Sequence, residues 1–517
     1  MIAKEYSLPK GLPKKTGSLC PECGKIITAT MSEKDGKVVM DKDCPEHGHF
    51  HDVVWSDVEL YLKCEGLAYD GVGVENPFIP HAKVCPNECG LCDLHLSHTA
   101  LANLDLTNRC NMKCPICFAN ANQAGYVYEP SFEEVVKMMQ VLRDSKPVPC
   151  PAIQFAGGEP TIYPQFVDVV RKAKELGFAQ IQVATNGIMF ANDFEFLKAS
   201  VEAGLNTIYL QFDGMSDDIY MISRGRKLLD IKMKVIENVR RLEKRPSVVL
   251  VPVVVKGVTD SQIGPIFRYA LENTDVVRGI NFQPVAFTGR INKDELAKQR
   301  YTLPDLAKDF EVQTNGQIRK SDWFPVPSVV PISTLASALI GEPKVTFTTH
   351  PHCGIATYVF IQDKDHVVPL TSFVDVEPLF RDLYELSKKA ERSKMKFPSK
   401  VKVYALLRKY MHEERMPEGL DRRTFLKLLG SLMGDSSKGS LAEFSWKMMM
   451  IGGMHFQDMY NYDIERVKRC AIHYVVPDGR IIPFCAYNGG PTYREQVEKK
   501  FSVPIEEWRR TRGTEHT

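Results

Sequence analysis

The sequence is short of everything that marks a secreted or membrane-spanning chain. Its start, Met1-Ile-Ala-Lys-Glu-Tyr6, lacks the apolar core of a signal peptide. The longest apolar run, around Val248–Val255, is interrupted by Pro252. It falls far short of the roughly 20 residues that cross a bilayer and reads as a buried strand. A cytoplasmic location follows. Charge bias is absent too, with 66 basic against 64 acidic residues and a formal net charge of +2. Nothing there points to a polyanion-binding surface, so no nucleic-acid partner is expected. There is no internal repeat, which excludes a solenoid. No His–carboxylate pair stands out for acid–base work. What is left is ordinary globular material of 517 residues, 44% hydrophobic and 25% charged, enough for about three domains.

What the chain does have is cysteine in tight groups. Fourteen are present, including Cys20/Cys23, Cys85/Cys89/Cys92, Cys110/Cys114/Cys117 and then Cys353, Cys470 and Cys485. Cysteines this close in a long cytosolic chain favour metal over disulfides. Isolated Cys150 reads as a plain buried thiol.

From Leu101 onward strand-like and helix-like patterns alternate. Strands are expected at 101–106, 152–155, 181–184, 207–212, 248–255 and 279–285. Amphipathic helices are expected at 132–143, 165–176, 194–203, 228–243 and 263–271. This is the signature of βα units around a parallel sheet, and six strands fit a partial (β/α)6 barrel in an α/β fold. Three parts are expected: a metal-binding segment over 1–97, the barrel over 98–330 and a third part over 331–517. Helices are also expected near 303–310, toward the end of the second part, and near 380–389, 401–415 and 422–432 in the third.

Two triplets share the spacing Cys-x3-Cys-x2-Cys. Context separates them. Cys110-Asn-Met-Lys-Cys114-Pro-Ile-Cys117 follows a strand and precedes a helix, whereas Cys85–Cys92 has no strand before it. Together with Gly157-Gly158-Glu159-Pro160-Thr161, Ala184-Thr-Asn186-Gly and Gln211-Phe-Asp213-Gly, the second triplet resembles the radical S-adenosylmethionine (SAM) superfamily over about residues 98–290. A [4Fe–4S] cluster is usually held by four thiolates, and three cysteines leave one iron open. The resemblance implies that SAM chelates that iron through its amino and carboxylate groups. It further implies that Gly157 and Gly158 let backbone approach the methionine moiety, that Glu159 or Thr161 meets its amino group, and that Asn186 meets the ribose. Gln211 and Asp213 complete the expected cofactor-binding set. An external electron donor is required.

Cys20-Pro-Glu-Cys23-Gly and Cys44-Pro-Glu-His47-Gly resemble the two knuckles of a zinc-ribbon or rubredoxin-like site, which closes a tetrahedron around one zinc or iron ion. The fourth ligand stays open. His47 fits the knuckle, Cys64 gives an all-sulfur site, and Cys64 also suits a cluster with Cys85, Cys89 and Cys92; Cys64 is assigned as a metal ligand on this reading. Near the end, Cys470 and Cys485 bracket a hairpin with an Asp478-Gly479 turn. With Cys353 they resemble the auxiliary-cluster domains that follow many radical SAM barrels. Three [4Fe–4S] clusters are therefore expected in all.

Taken whole, the order of metal knuckles, Cys89-Gly-Leu-Cys92-Asp-Leu-His95, the barrel with Asn281-Phe-Gln-Pro284, and His352-Cys353-Gly resembles the archaeal tetraether lipid synthases. A methionine-rich stretch, Ser445–Tyr460, and the segment 406–441 also suit an apolar substrate. That resemblance implies carbon–carbon coupling of the terminal methyls of two phytanyl chains of archaeal phospholipids, giving macrocyclic archaeol and tetraethers. It also implies peripheral contact with the membrane. The alternative expectation is a radical SAM enzyme with auxiliary clusters that modifies a peptide or a small metabolite.

Overall fold

The computed structural model describes residues 3–392, 397–425, 448–490 and 493–513. Most of the expected helix 422–432, and residues 426–441 of the segment 406–441, lie outside the described residues.

Residues 14–55 form a four-stranded antiparallel meander: Lys14–Leu19, Ile26–Lys34, Lys37–Cys44 and Gly48–Trp55. From Leu101 the alternation produces the expected parallel sheet. Its strands are Leu101–Thr107, Ala152–Gly157, Gln180–Thr185, Thr207–Gln211, Ser247–Val251 and Val277–Pro284. Helices Phe132–Arg143, Phe166–Glu175, Phe194–Ala203, Leu229–Arg241 and Ile263–Glu272 connect or follow them. Alternate residues such as Leu104, Phe155, Val183, Leu210, Leu250 and Ile280 point into one continuous core with Val135, Val169, Leu197, Val235 and Ile266 of those helices.

The sheet does not end with these six strands. Met448–Met454 adds in parallel beside Val277–Pro284, and Ile472–Val475 adds in parallel beside Leu101–Thr107. Eight parallel strands therefore stand side by side, the outer two supplied by the C-terminal third. Antiparallel strands Gly354–Ile361 and Ile481–Pro483 flank them. Seven residues of the methionine-rich stretch expected to face an apolar substrate, Met448–Met454, are thus a strand of the sheet, and Met449 and Ile451 are buried in the main core. Gly453 is small for a reason, since a Cβ there would lie 2.5 Å from Leu306 of helix Leu303–Gln313, which packs on this strand. A second, smaller core joins helices Val330–Ile340 and Val376–Arg392 through Leu335, Phe380 and Leu383.

The N-terminal meander is docked on residues 458–464. Ser18 Oγ donates to the Tyr462 carbonyl (2.6 Å), and buried Lys42 donates to that of Met459 (2.7 Å). Arg300 is clamped between Asp52 of the meander and Asp458 (2.5 and 2.7 Å). Breaking such a buried pair by removing one partner costs about 3–5 kcal/mol, so this junction is a firm one.

Candidate active site and metal centres

The strand Leu101–Thr107 leads directly into the Cys110–Cys117 loop. Asn122 closes that loop: its Oδ1 accepts the Cys110 N–H (3.0 Å), and its Nδ2 donates to the carbonyls of Cys110 (2.7 Å) and Met112 (3.1 Å). The next strand end packs tightly against the approach to the loop. Gly158 N–H donates to Thr107 O (2.7 Å) and Glu159 N–H to Arg109 O (2.9 Å). A Cβ on Gly157 or Gly158 would sit 2.2 Å from those same two carbonyls. The glycine pair is thus demanded by the chain's own backbone.

Behind the loop lies a buried polar frame. Glu159 Oε1 accepts from Thr161 Oγ1 (2.6 Å), Thr161 N–H (3.2 Å) and Thr185 Oγ1 (2.7 Å), and its Oε2 accepts the Asn186 N–H (2.8 Å). Burial holds its carboxyl above the usual range in spite of these bonds. Asn186 Nδ2 donates to Asn111 Oδ1 (2.7 Å), inside the cysteine loop. Asp213 takes two hydrogen bonds from Arg224, Nε to Oδ2 at 2.5 Å and Nη2 to Oδ1 at 2.8 Å. Arg224 Nη1 reaches on to the Ile116 carbonyl (3.0 Å), again in the loop. Burial opposes the Asp213 charge, but the Arg224 guanidinium outweighs it and keeps the carboxyl below its ordinary range. Burial also pushes the Cys110 and Cys114 thiols up, so these two sulfurs suit a positive centre that would hold them as thiolates.

One member of this frame was not anticipated. Lys232, fully buried, donates to Asn186 O (2.5 Å) and Gln211 Oε1 (3.0 Å). Burial, opposed by Asp213, brings its pKa down to about 7. The sequence did carry a signal. Lys232 falls on the inward stripe of its helix with Val235, Ile236 and Val239, a place where an amine needs polar partners.

On the sheet face opposite the helices the residues are polar: Asn103, Gln182 and Asn281 are buried, and Gln154 and Tyr209 are half-buried. Gln182 Nε2 donates to Gln154 Oε1 (2.5 Å), and Gln154 Nε2 to Asn103 Oδ1 (2.6 Å), forming a row of amides across three strands. Asn281 bonds Tyr209 Oη on the same face. Gln154, Ala184, Tyr209, Gln211 and Gln283 are all half-buried in the middle of the sheet.

Two further groups of cysteines are assembled elsewhere. In the meander, Cys20, Cys23, Cys44 and His47 bring their ligand atoms within 4.8 Å of one another. Cys44 Sγ lies 3.5 Å and Cys20 Sγ 3.8 Å from His47 Nδ1, and Cys23 Sγ lies 3.9 Å from Cys44 Sγ. Three sulfurs and an imidazole at this spacing fit one tetrahedral ion. Cys64 is not in the group. It is buried in helix Val58–Gly66, whose burial drives its thiol pKa up. The place expected for Cys64 beside Cys20, Cys23 and Cys44 is taken in the structure by His47, the other candidate that the second knuckle offered.

The first triplet and the three C-terminal cysteines, distant in sequence, share one environment. The Cys89 thiol is influenced by Cys85, Cys92 and Cys470, and the Cys470 thiol by Cys485 and Cys353, burial being the largest effect on both. Tyr462, Phe484 and Tyr493 wall them in. The Tyr493 hydroxyl accepts the Cys89 N–H (3.3 Å) and lies 2.5 Å from the Pro86 carbonyl, to which it donates. Cys485 Sγ accepts the Gln457 N–H (3.4 Å). Cys150 stands apart, its thiol donating to the Ala152 carbonyl (3.2 Å).

Residues 104–270 match the radical SAM superfamily, and residues 12–56 match the HMPTM N-terminal zinc ribbon domain. The chain is thus a radical SAM protein with an N-terminal zinc ribbon. Over 501 residues it is 49% identical to the 7,8-dihydro-6-hydroxymethylpterin dimethyltransferase of Methanocaldococcus jannaschii, covering 96% of this chain and 97% of the relative, and it belongs to that family. More distant matches cover about two fifths of the chain. A tungsten-containing aldehyde ferredoxin oxidoreductase cofactor-modifying protein of Pyrococcus furiosus is 26% identical over 39% of this chain and 58% of its own length. A GTP 3',8-cyclase of Limosilactobacillus fermentum is 27% identical over 40% and 59%.

These findings correct the lipid expectation. A near full-length relative is named for a pterin, which overturns the tetraether lipid synthase reading, its archaeal phospholipid partner and its coupling of phytanyl chains. Among the described residues no helix is long and apolar enough to cross a membrane, and nothing supports the expected peripheral contact.

Proposed function

We propose that this protein is a radical SAM enzyme that methylates a reduced pterin, with 7,8-dihydro-6-hydroxymethylpterin as substrate. The observation that carries the reading is the 49% identity running over 96% of the chain. The polar sheet face agrees with it. A pterin ring offers an edge of donors and acceptors to the half-buried Gln154, Tyr209 and Gln283, whereas a saturated chain would strip these groups of water without offering hydrogen bonds in return.

The residues fit the cofactors the superfamily implies. Cys110, Cys114 and Cys117 would hold a [4Fe–4S] cluster with one iron left for SAM. When bound there, SAM supplies a 5′-deoxyadenosyl radical able to take hydrogen from carbon. Gly157 and Gly158 shape the wall beside the loop. Asn186 and half-buried Gln211 would meet the cofactor, while Glu159, Thr161 and Asp213 hold the strand ends and the loop in place. Lys232 ties Asn186 to Gln211. Cys20, Cys23, Cys44 and His47 would hold a mononuclear zinc or iron. Cys85, Cys89 and Cys92, and Cys353, Cys470 and Cys485, would hold two auxiliary clusters.

The test is to express the chain in a host that makes dihydropterins and to analyse the pterin pool by mass spectrometry. Pterins heavier by one and then two CH2 units are expected, and they should vanish in Cys114→Ala. An unchanged pool, with the purified protein still cleaving SAM, rejects the pterin while leaving the superfamily intact.

A further inference from the structure

Five arginines are buried among the described residues, and four have carboxylate partners. Arg109 pairs with Glu129, Arg224 with Asp213, Arg300 with Asp52 and Asp458, and Arg469 with Asp70 and Glu465. Arg466 is the exception. It is 4% exposed, on the short helix Ile464–Lys468. Its Nη2 donates to the His455 carbonyl (2.6 Å), and its Nε points at Cys353 Sγ, 3.5 Å away. No carboxylate forms an ion pair with it among the described residues. A buried guanidinium without a paired anion is costly, and a carbonyl and a thiol group carry no formal charge to offset it. The groups whose negative charge would act on Arg466 most strongly are Cys353 and Cys485.

We propose that Arg466 is the built-in counter-charge of the metal centre held by Cys353, Cys470 and Cys485, and that it sets that centre's reduction potential. It is a positioning residue: it touches no substrate and acts through the thiolates. A fixed positive charge stabilises the more negative, reduced state, so Arg466 makes this centre easier to reduce. The Cys110–Cys117 site has its own arginine, Arg224, already neutralised by Asp213, and is not affected by Arg466. The proposal rests on the reading that these C-terminal cysteines bind iron. That reading is tested separately by counting iron in the wild type and in Cys353→Ser/Cys485→Ser.

The experiment is a redox titration followed by electron paramagnetic resonance on anaerobically reconstituted wild type, Arg466→Gln and Arg466→Lys. In Arg466→Gln the auxiliary signal is expected to shift to lower potential, cutting its reduced-to-oxidised ratio about tenfold at fixed potential, or ~59 mV for one electron. Arg466→Lys shifts less, in the same direction, and covers the case in which the Gln variant fails to fold. The signal that disappears in Cys114→Ala should keep its midpoint in both. Thermal melts give an independent readout. Removing Arg466 should lower the melting temperature more in iron-loaded than in metal-free protein, where the charge has nothing to neutralise. Unmoved auxiliary midpoints with iron retained, or equal thermal losses in the two forms, overturn the proposal.

Discussion

The two Cys-x3-Cys-x2-Cys triplets have the same spacing and live in opposite surroundings. Cys110, Cys114 and Cys117 are all half-buried at the end of a central strand. Behind them stands a charged frame, Asp213–Arg224 and Glu159, wired to the loop through Asn111 and Ile116. Cys89 and Cys92 are buried in an irregular segment, walled by aromatic rings and beside Cys470. An identical spacing of sulfurs says only that a cluster can be bound. What the cluster can do is decided by the walls: the open, charged setting suits a metal that must accept a ligand, and the closed aromatic one suits a metal that only exchanges electrons.

This contrast can be broken from either side. Cys114→Ala should reduce SAM cleavage to background while leaving the auxiliary iron in place. Cys89→Ser should instead lose about four iron atoms per chain, keep SAM cleavage and abolish methylated product; anaerobic iron counting and 5′-deoxyadenosine release distinguish the two. If both variants lose the same activity, the division of labour is wrong. Next in size is Asp213→Asn. It strands a buried guanidinium and should cost about 3–5 kcal/mol in denaturant unfolding, with the loop cysteines more reactive to thiol reagents and Cys89 unchanged.

A smaller effect sharpens the charged side. Lys232 has its pKa brought from 10.5 to about 7 by burial, so it binds its proton less tightly folded than unfolded. Between those values the unfolded chain holds a proton that the folded chain has released, so this position's contribution to stability rises with pH there. The slope is at most about 1.4 kcal/mol per pH unit. Lys232→Met should flatten the difference, read as unfolding free energy at pH 7 and pH 9. Smallest is Tyr493→Phe on the aromatic side. It removes the acceptor for the Cys89 N–H and should cost about 1–2 kcal/mol, seen as faster amide exchange over residues 85–92 with the Cys110 loop undisturbed.

Periodicity and motif made the central sheet legible. Leu104, Phe155, Val183 and Leu210 alternate with polar residues, and the loop cysteines follow the first of those strands. The outer strands were hidden because Met448–Met454 contains glycines and no β-branched residue but Ile451, and its strand character comes from the neighbours it pairs with. His47 was visible as a possibility, since its knuckle spacing is right, but Cys64 competed on composition alone and only the fold removed it. The convergence of Cys89 on Cys470 spans 381 residues, and no local pattern encodes a contact at that distance. The substrate is not legible in the layout of the metal ligands, which carries no information on the amides and the tyrosine of the sheet face.

The placement of the two outermost parallel strands has a consequence for the order in which the chain is made. When the ribosome has completed Val277–Pro284, the nascent sheet has two bare rims, and the strands that cover them, Met448–Met454 and Ile472–Val475, are still unwritten. For the whole of that interval the chain carries unpaired strand rims, the kind of surface that aggregates. A fragment stopped near residue 330 inherits the same rims permanently, so the catalytic half of this molecule is not a unit that can be cut out and kept.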